Sequence, residues 1–282
     1  MAGQNLFASR ILIHLSFWGV IFLISLPVVF AVIVSTQSPV EVFSYPPKLT
    51  PSGHFENYVE VWNTIPLARM FFNSMLISVL VTVGKIIISL LAAFAFTFFD
   101  FRGKSLLFFL TLVTLMLPLP VRIVPLFELI ADLGKTVSPH VGIDSYFALV
   151  VPFLASATGT FLFRQHFLTV PRELLDAAKI DGCGPMRFLF LILLPLSWNA
   201  IGAMVVIQFV FVWNEYLWPL VATHSEEMRV IQIGVKMLIN AESANNWGVI
   251  MAGVMMAMLP PLLVFFLLQD SFMRGFAFIK EK

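Results

Sequence analysis

The chain carries very little charge. Only 12% of its 282 residues are Asp, Glu, Lys or Arg, and 59% are hydrophobic, whereas a soluble domain has roughly a quarter charged residues. The formal net charge is +1, and no basic cluster suggests nucleic acid as a partner. Lipid is therefore the expected surroundings of most of the surface.

Residues for covalent or metal chemistry are equally scarce. Cys183 is the only cysteine, which excludes an intrachain disulfide. The five histidines are scattered, and no pair of them has the spacing of metal ligands. We therefore predict no metal site and no catalytic residue in this chain.

Long apolar runs dominate what is present. A bilayer core needs about 20 apolar residues in a helix, and the runs are continuous, without the alternation of barrel strands. The first run is too long for a signal peptide core and has no clear cleavage site. We predict one all-α membrane domain, residues 1–282. Its six transmembrane helices lie at about 11–34, 71–99, 105–125, 146–163, 188–212 and 248–268.

The third run contains Pro118, Pro120 and Pro125. Proline removes a backbone donor and interrupts a helix, so we expect a broken or re-entrant end at 118–125. Such a break must be buried in protein or face water.

The positive charges are distributed unevenly. With both termini and the segments 100–104 and 164–187 on one side, that side holds ten of the 17 Lys and Arg residues, six lie opposite, and Lys85 lies within a run. Because positive residues favour the cytoplasmic side, we place both termini and residues 164–187 in the cytoplasm. The longer segments near 35–70, 118–145 and 213–247 are then the outer loops.

The cytoplasmic segment 164–187 contains a short amphipathic pattern. Pro171 suits a helix start, and Gly182 suits the left-handed position after a helix end. Arg172, Asp176 and Lys179 form a charged stripe with possible i,i+4 pairing. Leu174, Ala177 and Ala178 form a small apolar face that another surface could approach. From physics alone, the segment is either an interfacial cap for a loop or a lever that docks onto a partner.

A longer motif runs through this segment: Asp176-Ala177-Ala178, three residues, Gly182, nine residues, Ile192, one residue, and Leu194-Pro195. It resembles the signature loop of ABC importer permeases, in which Glu normally stands where this chain has Asp176. Asp keeps the charge on a side chain one methylene shorter.

Other stretches resemble narrower groups of that family. The stretch from Trp213 to Leu220 is similar to the smaller maltose-type permease of the carbohydrate branch. Residues 114–123, 131–134 and 156–165 look more like permeases for sn-glycerol-3-phosphate. Glycerol-3-phosphate and neutral oligosaccharides both stay open as substrates.

The resemblance implies the type I ABC importer permease fold and a location in the bacterial inner membrane. It implies three protein partners: a homologous second permease, a cytoplasmic ATPase dimer and an extracytoplasmic substrate-binding protein. ATP and Mg would bind to the ATPase, and this chain itself would bind no cofactor. The outer loop Thr223–Trp247 would approach the binding protein. The residues expected to contact the ATPase are Glu173, Asp176, Ala177, Ala178, Asp181, Gly182, Gly184 and Pro185.

Five residues are candidates for contact with substrate or binding protein: Lys85, Arg122, Asn214, Glu215 and Trp218. Lys85 is costly within a membrane run and is either a pathway residue for an anionic substrate or bonded to a carbonyl or carboxylate in the bundle. Arg122 could meet a phosphate or anchor at the interface. Trp218, with Trp213 and Trp247, is most simply explained as a belt aromatic.

Two other classes of protein compete with an ATPase-driven transport subunit. A self-sufficient carrier is disfavoured by the near absence of intramembrane acids, since Asp100 and Asp270 lie at span ends. A membrane enzyme is disfavoured because no cluster of His, Asp, Glu or Ser lies at one depth.

Overall fold

The computed structural model describes residues 2–240 and 246–277, and within these residues there are helices and no strand. The prediction of an all-α protein is confirmed. The first part of the chain forms α1 (Ala2–Ser35), α2 (Pro39–Val42), α3 (Glu56–Thr64), α4 (Leu67–Phe98), α5 (Lys104–Val113), α6 (Leu119–Thr136), α7 (Tyr146–Val150) and α8 (Ala157–Thr169). The remainder forms α9 (Arg172–Ile180), α10 (Pro185–Phe188), α11 (Leu194–Leu196), α12 (Trp198–Trp213), α13 (Leu217–Ala222), α14 (Ile231–Asn240) and α15 (Trp247–Ala277).

Four stretches of the described residues are long and apolar enough to cross a membrane: Leu12–Ser35, Leu67–Phe98, Pro139–Thr169 and Trp247–Gly275. Two bent helix pairs, Lys104–Met116 with Leu119–Thr136 and Pro185–Leu196 with Trp198–Trp213, raise the number to six if each pair is one span. Each of the six predicted segments overlaps one of these stretches.

The predicted break in the third segment is present, but it is shorter than expected. The chain bends by 102° between Met116 and Leu119, where Pro118 has an extended backbone. Pro120 lies in the first turn of α6, where a missing N–H costs little, and Pro125 lies inside the same helix. The expectation of an interruption as far as 125 is therefore wrong, and much of the supposed loop 118–145 is helical.

The fourth and fifth segments were predicted as uninterrupted helices, which the structure corrects. In the fourth, α7 is followed by a 3₁₀ turn at Val151–Phe153, and α8 begins anew after Ser156, whose hydroxyl accepts a hydrogen bond from Gly159 N–H. In the fifth, a π-helical turn at Leu189–Leu193 precedes Pro195, and the axis bends by 76° before α12. Proline without an N–H explains such a bend.

The described residues fall into two compact units, where the sequence predicted one domain. The first unit is drawn from Met1–Leu67 and Val235–Met258. Within it, the buried Asn57 amide donates to the carbonyl oxygens of Ser35 and Gln37, each at 2.9 Å. These bonds hold the end of α1 against α3. Most side chains of α1 between Leu12 and Phe30 are exposed, as expected of a surface against lipid.

The second unit is drawn from Ala68–Gly234 and Leu259–Lys282. Its buried core joins α4, α8, α9 and α12 through Phe94, Phe163, Phe167, Ala178, Phe188 and Met204, among others. Aromatic rings form much of this core: Phe98 contacts both Phe167 and Phe188, with centroids 6.1 and 5.5 Å apart. The candidate sites below all lie in this unit.

Candidate functional site

Helix α9 begins and ends where the sequence predicted. Pro171 has φ −58° and ψ 134°, and its carbonyl accepts the first helical bond from Leu174 N–H. At the other end Gly182 has φ +72°. Its N–H donates to Lys179 O at 3.0 Å, while Cys183 N–H donates to Ala178 O at 2.8 Å. These two bonds form a Schellman motif, which stops the helix sharply.

One face of α9 packs on its own chain. Ala178 is only 5% exposed and belongs to the aromatic core, with Leu175 and Cys183 packed beside it. The expectation that Ala178 lies on a face open to a partner is therefore wrong. The small side chain allows α9 to approach the neighbouring helices closely, so the likeness to the family motif at this position reflects packing within the chain.

The other face of α9 and the turn after it are open. The remaining predicted contact residues are all exposed: Glu173, Asp176, Ala177, Asp181, Gly182, Gly184 and Pro185. Lys179 lies 3.5 Å from Asp176 as an i,i+3 pair, which replaces the expected i,i+4 pairing. An exposed pair of this kind adds little stability.

Two apolar side chains at this tip were missed by the sequence reasoning. Ile180 is 87% exposed and Met186 is 58% exposed. Both flank Gly182 and lie on the same exposed tip as the predicted contact residues. The sequence did contain a sign of this exposure, because Ile180 is a large apolar residue directly before the polar turn Asp181-Gly182.

The tip is joined to the membrane helices through buried residues. Phe163 in α8 and Phe188 in α10 are each 1% exposed, and Phe188 stacks on Phe94 of α4 with centroids 6.5 Å apart. These contacts pack α9 closely against the ends of the membrane helices.

A second group of residues lies in the bundle around Lys85. This lysine is 6% exposed. Its ammonium donates to the Gln208 amide oxygen at 2.8 Å and lies 5.0 Å from the Phe211 ring centroid. The carbonyl partner is one of the two alternatives raised by the sequence. Among the described residues, no carboxylate lies within ion-pair distance of Lys85.

Two other pathway candidates differ in exposure. Glu215 is half-buried and its carboxylate accepts a hydrogen bond from Trp218 N–H at 3.4 Å, whereas Arg122 is exposed near the start of α6. In the part of the chain that the structure describes, neither of them forms an ion pair with Lys85.

The other two candidates have local roles. Trp218 is 1% exposed and its indole N–H donates to Ala148 O at 2.9 Å, so it is not a belt aromatic, while its contact with the pathway stays a prediction. Trp213 is 2% exposed, so it is no belt residue either. Asn214 is exposed and donates to Val210 O at 2.8 Å.

The first part of the loop Thr223–Trp247 is held by two polar clamps, while residues 241–245 lie outside the described residues. Asp144, with φ +64°, accepts bonds from the N–H groups of His224 and Ser225 at 2.9 and 3.1 Å. The buried Asn73 amide donates to Glu227 O and Arg229 O at 2.7 and 2.9 Å. These bonds order residues 224–229 and leave Glu226 and Glu227 exposed.

Known proteins identify the family. A family model described as the binding-protein-dependent transport system inner membrane component matches residues 85–277, which include both groups above. The chain belongs to this family. As a member, it is an inner membrane permease, a transport subunit and not an enzyme. Membership also implies, in general terms, a binding protein, a partner permease and an ATPase.

Several permeases resemble this one over nearly their whole length. This chain is 40% identical over 276 residues to the sn-glycerol-3-phosphate transport system permease protein UgpE of Brucella melitensis, and the match covers 95% of both chains. It is 39% identical over 281 residues to the protein of the same name from Agrobacterium fabrum, covering 96% of this chain and 97% of that one.

A solved structure has the same fold. It is a chain of a bacterial ABC transporter involved in the import of the acidic polysaccharide alginate, with a TM-score of 0.79 and 22% identity, covering 92% of this permease and 95% of that chain. The predicted family, fold class and transport role are thus confirmed, and the self-sufficient carrier and the membrane enzyme are set aside. The roles of individual residues stay predictions.

Proposed function

We propose that this permease forms half of the translocation pathway of an ABC importer for sn-glycerol-3-phosphate or a related sugar derivative. The observation that carries the proposal is identity of about 40% along almost the entire chain to permeases named for that substrate. A second, homologous permease would supply the other half, and an extracytoplasmic binding protein would deliver the substrate.

The exposed tip of α9 is the proposed contact with a cytoplasmic ATPase. Glu173, Ala177 and Asp181 would face that subunit, with Ile180 inserted into an apolar pocket on it. ATP and Mg would bind the ATPase alone. This assignment places both termini in the cytoplasm, although the terminal residues themselves lie outside those that the structure describes.

Coupling would be mechanical. Closure of the ATPase dimer on ATP would move α9, and the buried contacts at Ala178, Phe163 and Phe188 would carry that motion into α8, α10 and α4. Such a change needs no chemistry from the permease, because a two-state protein is switched by partners that bind its two states unequally.

The ordered residues 224–229 are the proposed contact with the binding protein. The clamps at Asp144 and Asn73 would present this segment in one conformation, which reduces the entropy lost on association.

Uptake measurements test the proposal. The permease is reconstituted into proteoliposomes with its partner permease, ATPase and binding protein, and uptake of labelled sn-glycerol-3-phosphate is followed with and without ATP. ATP-dependent uptake that maltose does not inhibit is expected. Uptake of maltose instead would favour the oligosaccharide alternative, and uptake by this chain alone without ATP would indicate a carrier.

A further inference from the structure

A line of buried polar side chains follows one face of α4. Ser74, Ser78, Thr82, Lys85 and Ser89 recur at intervals of four, four, three and four residues, which places them on the same side of a helix. Each of them is at most 6% exposed. This polar stripe runs through a helix that is otherwise apolar enough to cross a membrane.

The two ends of the polar stripe have structural roles. The Ser74 hydroxyl accepts a hydrogen bond from Ile231 N–H at 2.8 Å, and the Ser89 hydroxyl donates to Ser156 O at 3.4 Å. Both bonds satisfy groups that would otherwise be buried without a partner, and they explain why these two positions are polar.

The middle of the polar stripe has no such explanation. The hydroxyl oxygens of Ser78 and Thr82 are buried and have no hydrogen-bond partner. Burying an unpaired hydroxyl destabilises a protein, and Ala and Val would fill the same space without that cost. By contrast, Thr97 on the same helix donates to Ala93 O at 2.8 Å.

Lys85 is likewise incompletely satisfied. A lysine ammonium has three N–H donors, and among the described residues only the neutral Gln208 oxygen accepts a bond from it. No carboxylate of the described residues forms an ion pair with this ammonium. An anion would supply both the charge and the missing acceptors.

A narrow crevice reaches the outer part of the polar stripe. It is lined by Ser78, Phe211, Glu215 and Trp218, among others, and encloses about 20 Å³, which is room for about one water molecule. A larger molecule could meet Ser78, Thr82 and Lys85 only after α12 and α13 moved away from α4. Alternating access in a transporter is a movement of this kind.

We propose that Ser78, Thr82 and Lys85 form a binding site for a small phosphorylated polyol during its passage through this permease. The Lys85 ammonium binds the phosphate, and the two hydroxyls bond the hydroxyl groups of the polyol. Ser78 and Lys85 lie seven residues apart, about 10 Å along the helix axis, so the site can hold both ends of one small molecule. The inference rests on the proposed function.

The decisive variant is Thr82→Val, which removes only an unpartnered hydroxyl. The complete importer is reconstituted with this variant, supplied with saturating binding protein loaded with sn-glycerol-3-phosphate, and the number of substrate molecules taken up per ATP hydrolysed is measured. We expect this ratio to fall about fivefold, the effect of losing one hydrogen bond, while the melting temperature stays the same or rises. Thr97→Val, which is isosteric in the same way, should leave the ratio unchanged.

Two further variants complete the test. Ser78→Ala should lower the ratio as Thr82→Val does. Lys85→Met should lower it at least tenfold, and Lys85→Arg should restore part of the loss because the charge is kept. A wild-type ratio in both Thr82→Val and Ser78→Ala would overturn the inference. So would a fall in the melting temperature of Thr82→Val or Ser78→Ala that accompanies the loss of transport, because it would indicate a structural role for these hydroxyls.

The wild-type importer separates this inference from the function on which it rests. Failure of the wild type to transport sn-glycerol-3-phosphate would overturn the proposed function and the binding site together. Normal transport by the wild type with unimpaired hydroxyl variants would overturn the binding site alone.

Discussion

The backbone N–H of Cys183 donates to the carbonyl oxygen of Ala178 at 2.8 Å, so the bond that ends α9 is made by the residue that anchors this helix. The two residues enclose Gly182, which turns the chain with φ +72°. One short segment therefore both terminates the helix and fixes it to the aromatic core.

The first prediction concerns Gly182. An added Cβ would meet no atom within 4 Å, so Gly182→Val acts through backbone strain alone, at about 1–2 kcal/mol for a left-handed residue. We expect the chain to insert normally and ATP-dependent uptake in proteoliposomes to fall severalfold. Gly103→Val is the control, because Gly103 has φ +82° and is equally unobstructed. Equal losses of uptake in both variants would count against docking at α9.

The second prediction concerns Ile180. Because this side chain is 87% exposed, Ile180→Asp should not change the melting temperature of the permease. It should abolish co-purification of the ATPase, since a carboxylate would be buried without a partner in the contact. The nearby Lys179→Ala is the comparison, because its pair with Asp176 is exposed and contributes little. Undiminished ATPase binding by Ile180→Asp would show that the tip docks by other residues.

The third prediction compares two adjacent alanines. Ala178 is buried in the core, so Ala178→Leu should overpack it and destabilise the permease by about 1–3 kcal/mol. Ala177 is exposed, and Ala177→Leu should leave the melting temperature in detergent unchanged while weakening ATPase binding. The opposite pattern of melting temperatures would mean that α9 is rotated relative to the arrangement described above.

The fourth prediction concerns the outer clamp at Asp144. Its carboxylate accepts two backbone N–H bonds, so Asp144→Ala should remove both and cost about 1–2 kcal/mol, because each bond contributes about 1 kcal/mol net. Asp144→Asn keeps an oxygen acceptor and tolerates the left-handed backbone, so it should restore most of that loss. Thermal unfolding measures the stability, and uptake driven by the binding protein should follow the same order. Equal melting temperatures for the two variants would contradict this role of the carboxylate.

The fifth prediction concerns orientation. Lys179 is exposed on α9, so Lys179→Cys, in a chain with Cys183→Ser, should react with a membrane-impermeant maleimide only from the cytoplasmic side. Lys48→Cys in the same background should react only from the outer side. Labelling of position 179 from outside would invert the topology and remove the proposed ATPase contact.

Local chemistry was the reliable part of the sequence reasoning. Pro171 and Gly182 predicted both ends of α9 because proline and glycine act on their own backbone. Pro118 predicted the bend before α6 for the same reason. Pro125 was expected to interrupt the helix, but it lies inside α6. The loss of one backbone hydrogen bond was not enough to end a helix that the other residues stabilise.

Side-chain environment was less predictable. The sequence predicted Trp218 to be an interfacial aromatic, yet its side chain is buried and its indole N–H donates to Ala148 O. Lys85 is an obvious anomaly in an apolar run, but its partner Gln208 lies on a helix distant in sequence. The unpaired hydroxyls of Ser78 and Thr82 could not be recognised at all before their surroundings were known.

The amino-acid sequence by itself determined which segments leave water, where α9 begins and ends, and the family to which the permease belongs, because hydrophobicity, proline and glycine act locally. Only the tertiary structure decided that Ala178 faces inward while Ile180 faces outward, and that the Lys85 ammonium bonds the Gln208 side chain. Burial and electrostatic contact depend on residues far apart in the chain, and these meet only when the helices pack.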